Sequence, residues 1–167
     1  MAVSHAANSD TFKVTTPADR EIVITRMFDA SPALVFEAMT RPEHVRRWWG
    51  ILDDKHSVVK CEIDLRPGGA WHFVGRGPHG EVGFHGVYRE IAAPERLVYT
   101  EIFDLYPDVE SVITQTLTSQ NGKTLMTVSC IYPTKDVRDM VIGTGMEKGA
   151  ALSYDRLEEV AKELERR

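Results

Sequence analysis

The sequence predicts an α+β fold in which a curved, seven-stranded antiparallel sheet wraps around one long C-terminal helix. Three observations lead there. Segments of alternating apolar and polar residues run from His56 to Tyr132, separated by short turn-forming clusters such as "GPHG", "AAPE" and "SQNGK". The block from Asp136 to Glu165 instead carries Ile142, Met146, Ala150, Ser153, Leu157, Val160, Ala161 and Leu164 at steps of three and four, with Lys148, Asp155, Glu158, Glu159 and Lys162 on its other side. A chain of 167 residues that is 43% hydrophobic suits one domain with a single core.

The elements follow in order. Residues 1–19 carry no sustained pattern and read as a flexible N-terminal tail, which leaves residues 20–167 as the domain. "REIVITRMF", from Arg20, is a β-branched run and the first strand. Ser31 is a suitable N-cap with Pro32 at the first helical position, and Thr40 with Glu43 forms a capping box for a second short helix. Both short helices lie between strands one and two and end near Trp48, Trp49 and Gly50. Six strands follow: His56 to Asp64, Ala70 to Arg76, Glu81 to Ile91, Arg96 to Phe103, Ser111 to Thr118, and Lys123 to Tyr132.

The turns set a register. Pairing Arg76 with Glu81 across "GPHG" places His72 opposite His85 on one face, and Phe73 opposite Phe84 with Trp71 over Gly86 on the other. Pairing Ile91 with Arg96 across "AAPE" sets Tyr88 against Tyr99, Phe84 against Phe103 and Gly86 against Glu101. Glu101 is then one carboxylate on an aromatic face, an expensive placement unless something satisfies it. Centring the next hairpin on Asn121 and Gly122 pairs Leu117 with Met126, Gln115 with Val128 and Ile113 with Cys130. The facing helix holds Gly145 and Gly149 with Ala150 and Ser153 close by, too little side chain to fill a concave sheet, so a cavity is expected.

Composition excludes several classes. A net charge of -5 with scattered lysines and arginines offers no basic patch for nucleic acid. No apolar run approaches the roughly 18 residues that span a bilayer, the N-terminal stretch lacks a signal-peptide pattern, and "EHVRRWW" is too short for a membrane-surface helix. Cys61 and Cys130 sit in apolar alternating runs as core thiols, which fits a reduced, cytoplasmic protein.

Four motifs, "EIVITRMFDASPALVFEAMTRPEHVRRWWG", "DLRPGGAWHF", "GVYREIAAPERLVYTE" and "GMEKGAALSYDRLEEVA", together resemble bacterial members of the activator of heat-shock-protein ATPase homologue family. That family lies in the START-like superfamily, which includes polyketide cyclases and lipid-transport proteins. The resemblance covers nearly the whole chain from Arg20 and implies a helix-grip fold with a deep, largely apolar cavity. Its members range from small-molecule binders to cyclases to co-chaperones, so it implies no single activity.

The chemistry expected of the cavity is binding of a small hydrophobic, aromatic or polyketide-like molecule. Its candidate contacts are Trp48, Trp71, Phe73, Phe84, Tyr88, Tyr99, Glu101, Gln115, Met146, Gly149 and Arg26. Of the adjacent tryptophans, Trp48 is expected at the cavity and Trp49 as the anchor of the short helices. Glu101 is either an acid for ligand or catalysis, as in a cyclase or dehydratase, or a structural partner of Arg26. A co-chaperone-like interaction module and a homodimer stay open beside these readings. His72 and His85 make half a metal site with no Cys, Asp or Glu at ligand spacing, so no metal is assigned. Ser129 and Ser153 lack a positioned His and Asp for a triad, and the glycines of "RPGGAWHFVGRG" lead into a hairpin, not onto a helix, so no nucleotide cofactor is expected.

Overall fold

A strand exposes alternate side chains to opposite faces, and in Glu21–Phe28 (β2) every second residue, Ile22, Ile24, Arg26 and Phe28, is buried. The same alternation shapes the sheet throughout the computed structural model, which describes residues 11–167. The further strands are Phe12–Thr15 (β1), Ser57–Ile63 (β3), Ala70–Gly77 (β4), Gly80–Ala92 (β5), Arg96–Phe103 (β6), Glu110–Gln120 (β7) and Lys123–Ile131 (β8). They form one curved, unclosed antiparallel sheet, eight-stranded among the described residues, in the order β1-β2-β8-β7-β6-β5-β4-β3. The helices are Pro32–Thr40 (α1), Pro42–Val45 (α2), Lys135–Gly143 (α3) and Met146–Glu165 (α4).

The eighth strand is β1. It falls in the stretch expected to be a loose tail, where it pairs Phe12 with Arg26 and Thr15 with Val23 and buries Phe12 and Val14. Four residues are too few for periodicity to register, and the partner strand supplies what the local sequence lacks. Residues 1–10 of the expected tail lie outside the described residues.

The expected single C-terminal helix is two. It breaks at Thr144 and Gly145, where Gly145 adopts φ of 77°, and α4 starts afresh. Ile142 and Met146 keep helical spacing across the break, so the apolar stripe conceals it. The capping box at Thr40 is also absent: Thr40 Oγ1 turns back and donates to Phe36 O at 2.7 Å, and Arg41 occupies the N-cap of α2. Ser31 stands at the N-cap of α1 with Pro32 behind it, but its side chain makes no capping bond.

The β4–β5 register is the expected one, with Arg76 opposite Glu81, His72 opposite His85, Phe73 opposite Phe84 and Trp71 opposite Gly86. At "AAPE" the turn pairs Ile91 with Leu97, not Arg96, and a bulge between Tyr88 and Glu90 absorbs the extra residue. Tyr88 therefore still meets Tyr99, and Phe84 still meets Phe103. The β7–β8 hairpin pairs Leu117 with Met126, Gln115 with Val128 and Ile113 with Cys130.

Two contacts hold this frame. Arg26, 5% exposed, reaches from β2 to α4, with Nη2 at 2.9 Å from Asp155 Oδ1 and Nη1 at 3.1 Å from Glu158 Oε1. Trp71 crosses β5 at Gly86 so that Nε1 donates to Thr100 O on β6 at 3.1 Å. A Cβ on Gly86 would lie 1.8 Å from that carbonyl oxygen and 2.8 Å from Trp71 Nε1. Backbone and indole cannot both yield, so Gly86→Ala is expected to cost at least about 2 kcal/mol in urea denaturation. A change near zero would show that the strands adjust freely at this row.

Candidate functional site: a two-chambered cavity

The apolar packing of α4 is concentrated in its C-terminal half. Leu157, Val160, Ala161 and Leu164 are buried, and this half packs on α1. Farther forward Gly149 and Ala150 have little to offer the sheet, and a Cβ built on Gly149 meets no atom within 4 Å. The space left over forms two chambers, of about 270 and 670 Å³.

The smaller chamber is walled by Trp48, Trp71, Phe73, Tyr88, Gln115 and Gly149. Phe84, Phe103 and Met146 line the larger one, with Val82, Tyr106 and Met140 exposed around it. Tyr99, Glu101, Ala150 and Tyr154 belong to both. Glu101 thus stands at the junction.

Among the described residues none hydrogen-bonds or pairs with the Glu101 carboxylate, and desolvation pushes its carboxyl up to about 7 from an ordinary value of 4.5. The side chain keeps some accessible surface, and that surface faces the chambers it lines. Burial also holds the Tyr99 and Tyr154 phenols well above their usual range, with Glu101 adding to both shifts, so they stay neutral hydrogen-bonding groups. Gln115 is buried and its Nε2 lies 3.5 Å from Met39 Sδ, a weak acceptor. The cavity therefore combines aromatic walls with a carboxyl and phenols able to meet a ligand oxygen.

Ten of the expected contact residues line one chamber or the other, and Arg26 lines neither. Its guanidinium is spent on Asp155 and Glu158 and lies 4.8 Å from the Phe28 ring, so it is a structural residue and not the partner of Glu101. Both tryptophans line the smaller chamber, Trp48 as expected, but the anchoring expected of Trp49 also falls to Trp48. Trp48 is buried with Nε1 donating to Ala38 O at 2.9 Å. Trp49 is half-buried over the aromatic row, 5.5 Å from Phe73 and 6.0 Å from Phe84 between ring centroids. The reading from sequence missed Tyr154, although it lies one helical turn after Ala150 and is the aromatic residue of α4. His72 and His85 lie on the other, convex face, where Asp104 joins them as a carboxylate the sequence spacing had not supplied.

No helix among the described residues is long and apolar enough to cross a membrane. No protein of curated function matches the chain in sequence. Solved structures do. A Rhodobacter sphaeroides protein superposes with a TM-score of 0.82 at 23% identity, covering 92% of this chain and 99% of the other. A Nitrosomonas europaea protein gives 0.77 at 25% identity over 91% and 100%. A Mycobacterium smegmatis protein gives 0.79 at 22% identity over 89% and 94%. These likenesses establish the helix-grip architecture. The family model described as activator of Hsp90 ATPase homolog 1-like protein matches residues 29–162. The chain belongs to that family, within the START-like superfamily that its four motifs resemble.

Proposed function

We propose that this protein binds a small, largely apolar molecule across both chambers, with Glu101 meeting a polar group of the ligand. The observation that carries this reading is the placement of Glu101: a carboxyl without a partner among the described residues, at the junction of two aromatic-walled spaces. An unpartnered carboxyl among apolar walls is costly, and a ligand donor or acceptor offsets that cost. The larger chamber, about 670 Å³, falls in the range of small-molecule sites, in which apolar walls give burial and a few polar groups give orientation. Mass spectrometry of the protein under native conditions, before and after denaturation, is the direct test. A co-purifying small molecule released on unfolding supports the reading.

The same carboxyl favours a second reading, acid-base catalysis of the cyclase or dehydratase type. A group titrating at about 7 can both give and take a proton at neutral pH. Conversion of the captured molecule, abolished in Glu101→Gln, distinguishes catalysis from binding. Co-chaperone activity rests on the family description alone.

Glu101 also leaves a pH signature on stability. Its folded-state value of about 7 exceeds the unfolded 4.5, so the folded state is penalised as pH rises from 4.5 to 7 and stays penalised above that. Glu101→Gln should therefore be more stable than the wild type by up to about 3 kcal/mol at pH 8, with the difference vanishing below pH ~4.5. Urea denaturation across that range checks it. For binding, the matched probes 2-acetylnaphthalene and 2-ethylnaphthalene differ in one acceptor oxygen. Their affinity ratio should fall as wild-type Glu101 ionises and stay flat with pH in Glu101→Gln, a change of about 2- to 10-fold. An identical pH profile in both proteins would make Glu101 structural.

Gly149 tests the space itself. Gly149→Leu gains roughly 0.8 kcal/mol of helix propensity, and in a filled core it would lose more to strain. Because nothing lies within 4 Å of its Cβ, the variant should hold or raise the melting temperature while strongly reducing binding of both naphthalenes. A clear drop in melting temperature would show that the helix packs tightly there.

A further inference from the structure

We propose that His72, His85 and Asp104 on the convex face form a zinc site, separate from the cavity, with a remaining coordination position open to solvent. The ligand atoms of these three residues all lie within 4.8 Å of one another. His72 Nε2 is 2.8 Å from Asp104 Oδ2, and His85 Nδ1 is 2.6 Å from Asp104 Oδ1. The two rings stand 5.6 Å apart at 72° to each other, so their nitrogens converge on the carboxylate and do not stack past it. A zinc ion bonded at about 2.0–2.2 Å to two imidazoles, one carboxylate and water needs this ligand set. Closing around it requires small rotamer adjustments of side chains that are each about one-third exposed.

The backbone around the triad is built for it. His72 and His85 are directly paired across β4 and β5, which fixes both Cα positions on one rigid ladder. Asp104 extends the same grid, its N–H donating to Gly83 O at 2.9 Å. Gly83 is the decisive residue. A Cβ there would lie 2.1 Å from Asp104 Oδ2, so the carboxylate occupies the room a side chain would take. Gly83 does not have the positive φ that would require glycine for conformational reasons, which leaves space as its reason. In the metal-free state each imidazole turns an N–H to the carboxylate, and a cation takes the place of those two protons. Two imidazoles and a carboxylate select borderline first-row ions over calcium or magnesium.

The test is calorimetric titration of untagged, chelator-treated protein with zinc chloride. One zinc per chain is expected, with affinity lowered at least tenfold in His72→Gln, His85→Gln and Gly83→Ala, and unchanged in His56→Gln, which removes the separate His56–Asp53 pair. Binding well below one equivalent, or wild-type affinity in the two triad histidine variants, overturns the site. Should a variant not fold, imidazole nitrogen NMR of the wild type decides. Zinc must shift His72 Nε2 and His85 Nδ1, and shifts confined to other histidines would refute the proposal.

Discussion

The structure depends on how α4 is held. Arg26 carries a guanidinium into the interface between β2 and α4, and a charge in that position must be paired. Its carboxylate partners lie at the middle of α4, Asp155 as the tenth of its twenty residues and Glu158 one turn further on. Glu158 Oε1 also accepts from Asp29 N at 2.9 Å, and Lys162 Nζ reaches Asp29 Oδ2 at 2.7 Å, so the helix is tied to the corner between β2 and α1. Leu157, Val160 and Leu164 complete the grip by burial. With that end fixed, the front half can approach the sheet only as far as its side chains reach, and Gly149 and Ala150 do not reach. The cavity is thus the consequence of a clamp at one end and of missing volume at the other.

The opposite wall depends on a different compromise. Trp71 spans β5 to bond the Thr100 carbonyl, which requires glycine at position 86 and sets the row in which Glu101 is the next residue. The strand pleat then turns Glu101 inward beside Tyr99 and Tyr154. A carboxyl in this position weakens the folded state at neutral pH, and a sequence that keeps it there keeps it against stability. The same pleat turns His72 and His85 outward, where Asp104 in the turn after β6 joins them, so neighbouring residues serve an aromatic-walled chamber on one side and a polar cluster on the other.

Much of this was legible because strand pairing is local when turns are short. "GPHG" and the Asn-Gly turn set registers from which Phe73 opposite Phe84, Tyr88 opposite Tyr99 and Gln115 opposite Val128 follow by counting in twos. The counting survived even a misplaced turn at "AAPE", because the bulge after Tyr88 restored the phase. The helix was legible on one face only. Its apolar stripe showed which side is buried, and its glycine showed that something was missing there, but the stripe ran unbroken through Gly145, where the chain changes direction.

The sequence by itself determined which face of each element is buried, which strands pair through turns, and that one carboxylate interrupts an aromatic face. Those properties follow from period and turn chemistry within a dozen residues. The tertiary structure alone decided the partners. Arg26 meets Asp155 across 129 residues, and Asp104 meets His72 across 32, and no local pattern encodes which of many charges arrives. It also decided that Trp48 and not Trp49 is the anchored indole, because the chain leaves the helix in a series of turns after Val45 and helical geometry no longer sets their directions. β1 is ordered for the same reason: four residues carry too few contacts among themselves, and only the edge of a folded sheet gives them hydrogen bonds and a surface on which to bury Phe12 and Val14.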